Sequence, residues 1–413
     1  MNPFLPLEEL RSLLKSRSYD RPPAIVCNAH ITGLSVARAL ASKDVPVVAL
    51  DRTGDGAAPP SDAVVASGAV TFPLDDPEGF RADVESIADA LDHDPVIFPC
   101  MDEWVHAVSE TEPAGVRRPF ADRDAVEAVL DKESLYARAA ELEIPYPETY
   151  RLAETGPDEA ADELGFPLVV KPARKREFEE LLGTNVVEVS DRTAYHELLD
   201  RADEAGVRVM AQEKVPVAVG EDRSVASYVP PDGEPLAVVG NARVRYPRGY
   251  GTSCVVDRVT DPELKALALG LLEEAGYYGI SEAEFVYDTD REEYVLLDVN
   301  TRPWKWISMP VEAGANLPYA AYADAVGMEY EPGHLDDGPD DTRWVYLRDY
   351  IAGLAEDPTS TDVLTRAEWR ALLSGDFEST RGLTTGVYRP SDPGPALGLL
   401  ETEFGGPEYY CSC

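Results

Sequence analysis

Residues 24–51 constrain the fold more than any other stretch. Residues 24–27, Ala-Ile-Val-Cys, form an apolar run too short for a helix. Residues 33–41 then place Leu34, Val36, Ala37 and Leu40 at helical spacing. Residues 45–50 are a second apolar run, ending at Asp51. Strand, helix and strand in so short a space make a βαβ unit, whose two strands lie parallel in one sheet. The expected fold class is therefore α/β, opened by a parallel-sheet domain. Residues 96–99 fit a further strand, followed by Asp102 and Glu103. Such strand ends are where open α/β sheets bind ligands. The turn at residues 28–33, Asn-Ala-His-Ile-Thr-Gly, lacks the glycine spacing of a dinucleotide fingerprint, which weighs against a dehydrogenase.

Near residue 120 the pattern changes. Residues 122–136 read as helical, and Pro145 and Pro147 then break the chain. Residues 168–170 form a strand leading into Lys171, and residues 207–211 form another leading into Gln212 and Glu213. The turn Pro-Pro-Asp-Gly at 230–233 joins strands at 224–228 and 236–240. Residues 262–276 are helical and precede strands at 283–287 and 294–299. Near the N-terminus, Leu7, Leu10, Leu13 and Leu14 suit one short amphipathic helix.

Composition removes several classes of function. The formal net charge is -40, with 77 acidic residues against 37 basic ones. That excess, spread along the chain, argues against nucleic-acid and anionic-membrane partners, which call for basic faces. A dispersed acidic surface with few lysines suits a protein working in molar salt, where the Debye length falls to about 3 Å. No window has the run of about 20 apolar residues needed by a membrane helix. The first residues lack the basic-then-apolar order of a signal peptide, so a cytoplasmic location is expected. The five cysteines are scattered, and Cys411 and Cys413 alone do not make a metal site.

Phosphoryl transfer needs cations on phosphates, metal ligands beside them and a slot for adenine. The chain offers these residue types in order: Lys132, Lys171, Gln212 and Glu213, Glu284, then Asp298-Val299-Asn300-Thr301-Arg302. Asp298 and Asn300 are two apart on an extended segment and so share a face. Glu284, across a short turn, is placed to join them. Three oxygen ligands on one surface suit Mg2+. Arg243 and Arg245 alternate along one strand, where a guanidinium fork suits a substrate carboxylate. Trp304 and Trp306 read as packing groups, and His30 and His106 as structural or surface residues.

In this order and spacing, residues 20–330 resemble the ATP-grasp superfamily. The segment 298–302 resembles its acidic-x-Asn-x-Arg metal motif, with Asp in the place of the commoner Glu. The resemblance implies a pre-ATP-grasp domain at 1–120, a two-lobed ATP-grasp domain at 121–330 with a lid lobe at about 140–212, and a C-terminal extension at 331–413. It implies that Lys132 and Lys171 hold ATP phosphates, and that Gln212, Glu213 and Val215 lie at adenine. Glu221 would take the ribose hydroxyls, and Glu284, Asp298 and Asn300 would hold Mg2+ or Mn2+. Arg302 would face charge developing on the reacting acyl group. Arg174, Lys175 and Arg176 stand where a glycine-rich phosphate loop is usual, so either local cations replace backbone amides there or the segment is a solvated basic turn.

Residues 241–253, 300–306 and 343–347 further resemble the carboxylate-amine ligase-like group, which includes D-aspartate ligase. That likeness implies a ligase joining a small-molecule carboxylate to an amine through an acyl phosphate, with a homo-oligomer allowed. A kinase or carboxylase using another acceptor, or a nucleotide-binding protein without turnover, stays open at this point.

Overall fold

A computed structural model describes residues 3–172, 182, 184, 186–330, 341–356, 358–380 and 382–405. The predicted βαβ unit is present: β2 (Ala24–Cys27), α2 (Ile31–Ala41) and β3 (Val47–Asp51). With β1 (Phe4–Leu5), β4 (Ala66–Ala69) and β5 (Val96–Pro99) they form a five-stranded sheet ordered β1-β4-β3-β2-β5, every pair parallel. β2 has β3 on one side and β5 on the other, so the crevice between their C-terminal ends opens at a topological switch point. The turn after β2 is tight. Asn28 adopts a φ of 68°, a region Asn tolerates better than most residues. Asp51 accepts from the Ala29 amide at 2.8 Å and the Arg52 amide at 2.7 Å, which closes the turn. α1 (Leu7–Lys15) buries Leu10 and Leu14 as its leucine spacing predicts.

The helical stretch near residue 130 is two helices, α5 (Arg123–Leu130) and α6 (Lys132–Glu141). Asp131 divides them, because its carboxylate accepts from the Glu133 and Ser134 amides at 3.1 and 3.0 Å and so caps α6. An antiparallel sheet ordered β6-β9-β7-β8 follows: β6 (Thr149–Arg151), β7 (Leu168–Pro172), β8 (Val187–Val189) and β9 (Val209–Glu213).

The largest sheet has seven strands. These are β10 (Val217–Val229), β11 (Leu236–Tyr246), β12 (Thr252–Val259), β13 (Gly279–Asp288), β14 (Glu293–Asn300), β15 (Arg343–Val345) and β16 (Leu383–Thr385). Their order is β14-β13-β10-β11-β12-β15-β16. The predicted turn at 230–233 joins β10 to β11, with Tyr228 opposite Leu236. Both strands run well beyond their expected ends. β15 and β16, from the Asp- and Pro-rich end of the chain, extend this sheet.

Strand alternation splits the core. Val225, Ala237, Val239, Ala283, Phe285, Leu296 and Val299 pack on one side with α5, α6 and the helix Pro262–Glu274. Ala226, Val238, Ala242, Val256, Trp304 and Trp306 pack on the other. Both cores run on into the five-stranded sheet, which holds the two layers together. Trp304 and Trp306 are buried and meet edge to face at 5.2 Å, as packing groups should. Near its end the chain returns to α2, where Arg38 donates to the Asp392 carboxylate at 3.0 and 2.8 Å and to the Val387 carbonyl at 3.0 Å. No helix among the described residues is long and apolar enough to cross a membrane.

Candidate active site

The β13–β14 hairpin forms the centre of the site. Its register sets Glu284 opposite Asp298 and Glu282 opposite Asn300. Paired residues project from the same face, so four polar side chains share it. Asn300 Nδ2 donates to Glu284 Oε1 at 2.8 Å and to Glu282 Oε2 at 3.1 Å. Glu282, Asp298 and Asn300 are buried.

Lys132 enters from the first position of α6. Its Nζ donates to Asp298 Oδ1 at 2.7 Å, and both side chains are buried. A cation in the first turn of a helix faces the positive end of the helix dipole, and the Asp298 carboxylate offsets that. The Tyr136 hydroxyl donates to the Leu297 carbonyl at 2.9 Å and fixes α6 against β14.

Two arginines complete the cluster. Arg245 Nε donates to Asp222 Oδ2 at 2.6 Å, Nη1 donates to the Gly251 carbonyl at 3.1 Å, and Nη2 lies 3.7 Å from Glu284. Arg302 Nε and Nη2 donate to the two oxygens of Asp102 at 2.5 and 3.4 Å. Asp102 opens α4 (Asp102–Thr111) at the C-terminal end of β5. This ion pair links the end of the parallel sheet to the segment that follows β14.

Burial and charge together shift the protonation of the cluster. Burial, then the Glu284 charge, pushes Glu282 up to about 8, against the pull of Arg302, the Asn300 amide and Arg245. Burial also raises Asp222, although Arg245 opposes it. For Arg302, burial disfavours the charged form, but Asp102, Glu103 and Glu282 outweigh it and raise its pKa. The cluster carries more carboxylates than its cations neutralise.

Arg243 and Arg245 do not share a face. Ala242 pairs with Val256 and Val244 with Val255, so a bulge at Arg243 breaks the alternation. Arg243 lies 3.9 Å from Asp257, whose carboxylate also takes the Arg343 fork, while Arg245 turns toward Glu284. The stretch 241–253 is largely strand, the end of β11 and the start of β12. At that start Lys305, buried, donates to Thr252 Oγ1 at 2.8 Å and to Asp349, and sits 4.5 Å over the Tyr346 ring.

Other expected residues lie on the smaller sheet and its exit. Lys171 is on β7, opposite Met210. Gln212 is buried, and its Nε2 donates to Thr149 Oγ1 at 2.8 Å and Tyr136 OH at 3.1 Å, linking β9 to α6. Glu213 accepts from Arg291 at 2.6 Å and from the Glu148 amide at 2.7 Å. Val215 is half-buried just beyond β9. Glu221 accepts from the Tyr294 hydroxyl at 3.4 Å. Arg174, with Lys175, Arg176, Cys411 and Cys413, lies outside the described residues. His30 is 3.6 Å from Asp51 and His106 is 3.2 Å from Glu127.

Sequence reasoning missed Glu282 and Asp222. Glu282 had a signal: it precedes Glu284 by two, the same spacing that marked Asp298 and Asn300. Asp222 had none, since β10 was expected to begin later.

No family model matches the chain. The D-aspartate ligase of Enterococcus faecium (strain Aus0004) is 25% identical over 222 residues, which cover 50% of this chain and 52% of that protein. The chain thus matches about half the length of this curated relative. Among solved structures, the Campylobacter jejuni biotin carboxylase in complex with β,γ-ATP superposes with a TM-score of 0.60 at 16% identity, covering 75% of this chain and 72% of that one. An N5-carboxyaminoimidazole ribonucleotide synthetase in complex with ADP gives 0.63 at 13%, covering 83% and 87%. The N5-carboxyaminoimidazole synthetase of Staphylococcus aureus gives 0.58 at 12%, covering 76% and 79%. The chain therefore shares the fold of these solved structures.

The ATP-grasp likeness raises the question of a divalent cation. Among the described residues, no three His, Cys, Asp or Glu side chains group as a ready-made metal cluster. The hairpin instead offers two facing carboxylates, Glu284 and Asp298, beside the Asn300 amide. This all-oxygen donor set, in a cluster with surplus negative charge, fits a hard cation that keeps sites for phosphate oxygens and water.

Proposed function

We propose that this chain is an ATP-dependent ligase that activates a carboxylate as an acyl phosphate and joins it to an amine, releasing ADP and phosphate. The observation that carries the reading is the convergence on one face of Glu284, Asp298 and Asn300 with Lys132, near Arg302, in an ATP-grasp scaffold. The 25% identity to a D-aspartate ligase supports an amino acid as one of the substrates.

Glu284, Asp298 and Asn300 would hold Mg2+, which, when bound, neutralises phosphate charge. Lys132 and Lys171 bring ammonium charge to the ATP phosphates and favour transfer of the terminal phosphoryl group to the substrate carboxylate. Arg302, oriented by Asp102, presents its guanidinium to the oxygen that gains charge when the amine attacks the acyl carbon. Phosphate then leaves and the amine loses its proton, giving the amide. Gln212 and Glu213 at the end of β9, Val215 beyond it and Glu221 within β10 would take adenosine. Arg243, beside Asp257, is placed as a surface partner to incoming acid.

The test is a screen of amino acids and small carboxylates, with and without amines, for Mg-ATP-dependent ADP release. Hydroxylamine and mass spectrometry identify the products. The reading expects a hydroxamate with hydroxylamine and an amide with the true amine. ADP release accompanied by phosphate on a hydroxyl product would overturn it in favour of a kinase. The solved neighbours also support a carboxylase reading, which expects ADP release with bicarbonate as the acid and a carboxylated acceptor.

A further inference from the structure

Lys132 and Asp298 are assigned opposite partners, and the structure brings them into contact. The ammonium lies 2.7 Å from Oδ1 with both side chains buried. Asp298 Oδ1 also accepts from its neighbouring Val299 amide at 3.0 Å, which fixes the carboxylate's orientation on the strand. The lysine is set by α6, which Tyr136 ties to Leu297 and Gln212 ties to the smaller sheet. The contact is thus held from both sides by packed elements rather than by two loose surface chains.

A buried ammonium and a small divalent cation cannot share one carboxylate oxygen. A cation taking Asp298 Oδ1 must release Lys132 from that oxygen, and a buried lysine released without a partner is costly. A phosphate oxygen is the partner that would receive it. Likewise, ATP that draws Lys132 away removes a cation from Asp298 in a cluster already rich in carboxylates, unless a metal cation replaces the lysine. Each ligand therefore relieves the cost imposed by the other, which is a coupling free energy between two sites.

We infer that Lys132 is a placeholder on the metal carboxylate, exchanging Asp298 for phosphate, so that metal ion and nucleotide bind cooperatively and each binds poorly alone. This inference rests on the proposed metal and phosphate roles of the hairpin and α6.

The test is binding of Mn2+ alone, followed by electron paramagnetic resonance, and of ATP alone, followed by calorimetry, in molar KCl. At that salt the Debye length is about 3 Å, so loss of a charge acts through direct contact and not through the general field. In Lys132→Met, Mn2+ alone should bind more tightly than in wild type by about fivefold or more, while ATP affinity falls. Asp298→Asn should abolish most Mn2+ binding in either background, leaving the sharp signal of the free ion. Unchanged Mn2+ affinity in a folded Lys132→Met protein, with Asp298→Asn still losing the metal, would overturn the placeholder role and leave the metal site standing. Mn2+ binding indifferent to Asp298→Asn would overturn the metal reading itself, and the inference with it. Should Lys132→Met fail to fold, Lys132→Gln retains a polar group toward Asp298 without the charge. It is expected to show the same gain, and no gain in it would overturn the inference.

Discussion

At the residue scale, Asp298 joins the β13–β14 hairpin to α6. It faces Glu284 across the hairpin and holds Lys132. Asp298→Asn keeps the shape and an acceptor oxygen but removes the charge. Breaking a buried pair outright costs about 3–5 kcal/mol; Asn, which still accepts from Lys132, should fall at or below the lower end. Turnover should drop by at least about 100-fold, the scale of losing one preorganised charge-stabilising group. Thermal melts and ADP release on the same preparation separate the two effects, and near-normal turnover would sink the site. Gly240 makes a purely structural counterpart. A Cβ there would lie 2.8 Å from the Trp306 ring and 2.9 Å from Val256. Gly240→Ala should therefore destabilise by about 1–3 kcal/mol through overpacking, measured as a lower denaturant midpoint. The -x- spacing of Asp298 and Asn300 was legible because period 2 is a property of any extended chain. The Lys132–Asp298 contact was not, because the two residues are 166 positions apart and nothing local records the pairing.

Elements succeed or fail as predictions according to whether their pattern is local. The first βαβ unit was legible from its apolar runs, and the 230–233 turn from its Pro and Gly. α5 and α6 read as one helix because apolar spacing continues across Asp131, although an aspartate followed by the helix formers Lys132 and Glu133 is itself a capping signal. The parity argument for Arg243 and Arg245 failed because a bulge shifts every residue beyond it to the other face. β15 and β16 were hidden because each is three residues long and gains its meaning only from partners far away in sequence. The junction of α4 with β14 yields a prediction at this scale. Asp102→Asn loosens the Arg302 fork without touching the assigned nucleotide residues. ATP affinity should stay near wild type while turnover falls, and Asp102→Glu should recover part of it. Equal loss of ATP affinity and turnover would mean that the pair merely supports the fold.

The whole molecule carries a net charge of -40 on 413 residues. Several acids are matched locally, as in the Arg343 contacts with Asp257 and Glu368 and the Arg38 contact with Asp392. The excess is left to self-repulsion, which salt screens and dilute buffer does not. The melting temperature should rise steadily from dilute buffer to several molar KCl, and an unchanged melting temperature would contradict an adaptation to salt. In those conditions the central claim, activation of a carboxylate by phosphorylation, has one direct measurement. The acid that supports ADP release is supplied with 18O in its carboxylate, together with its amine, and the released phosphate is examined by mass spectrometry. An acyl phosphate passes one carboxylate oxygen to phosphorus, so the account predicts singly labelled inorganic phosphate alongside the amide; unlabelled phosphate would contradict it.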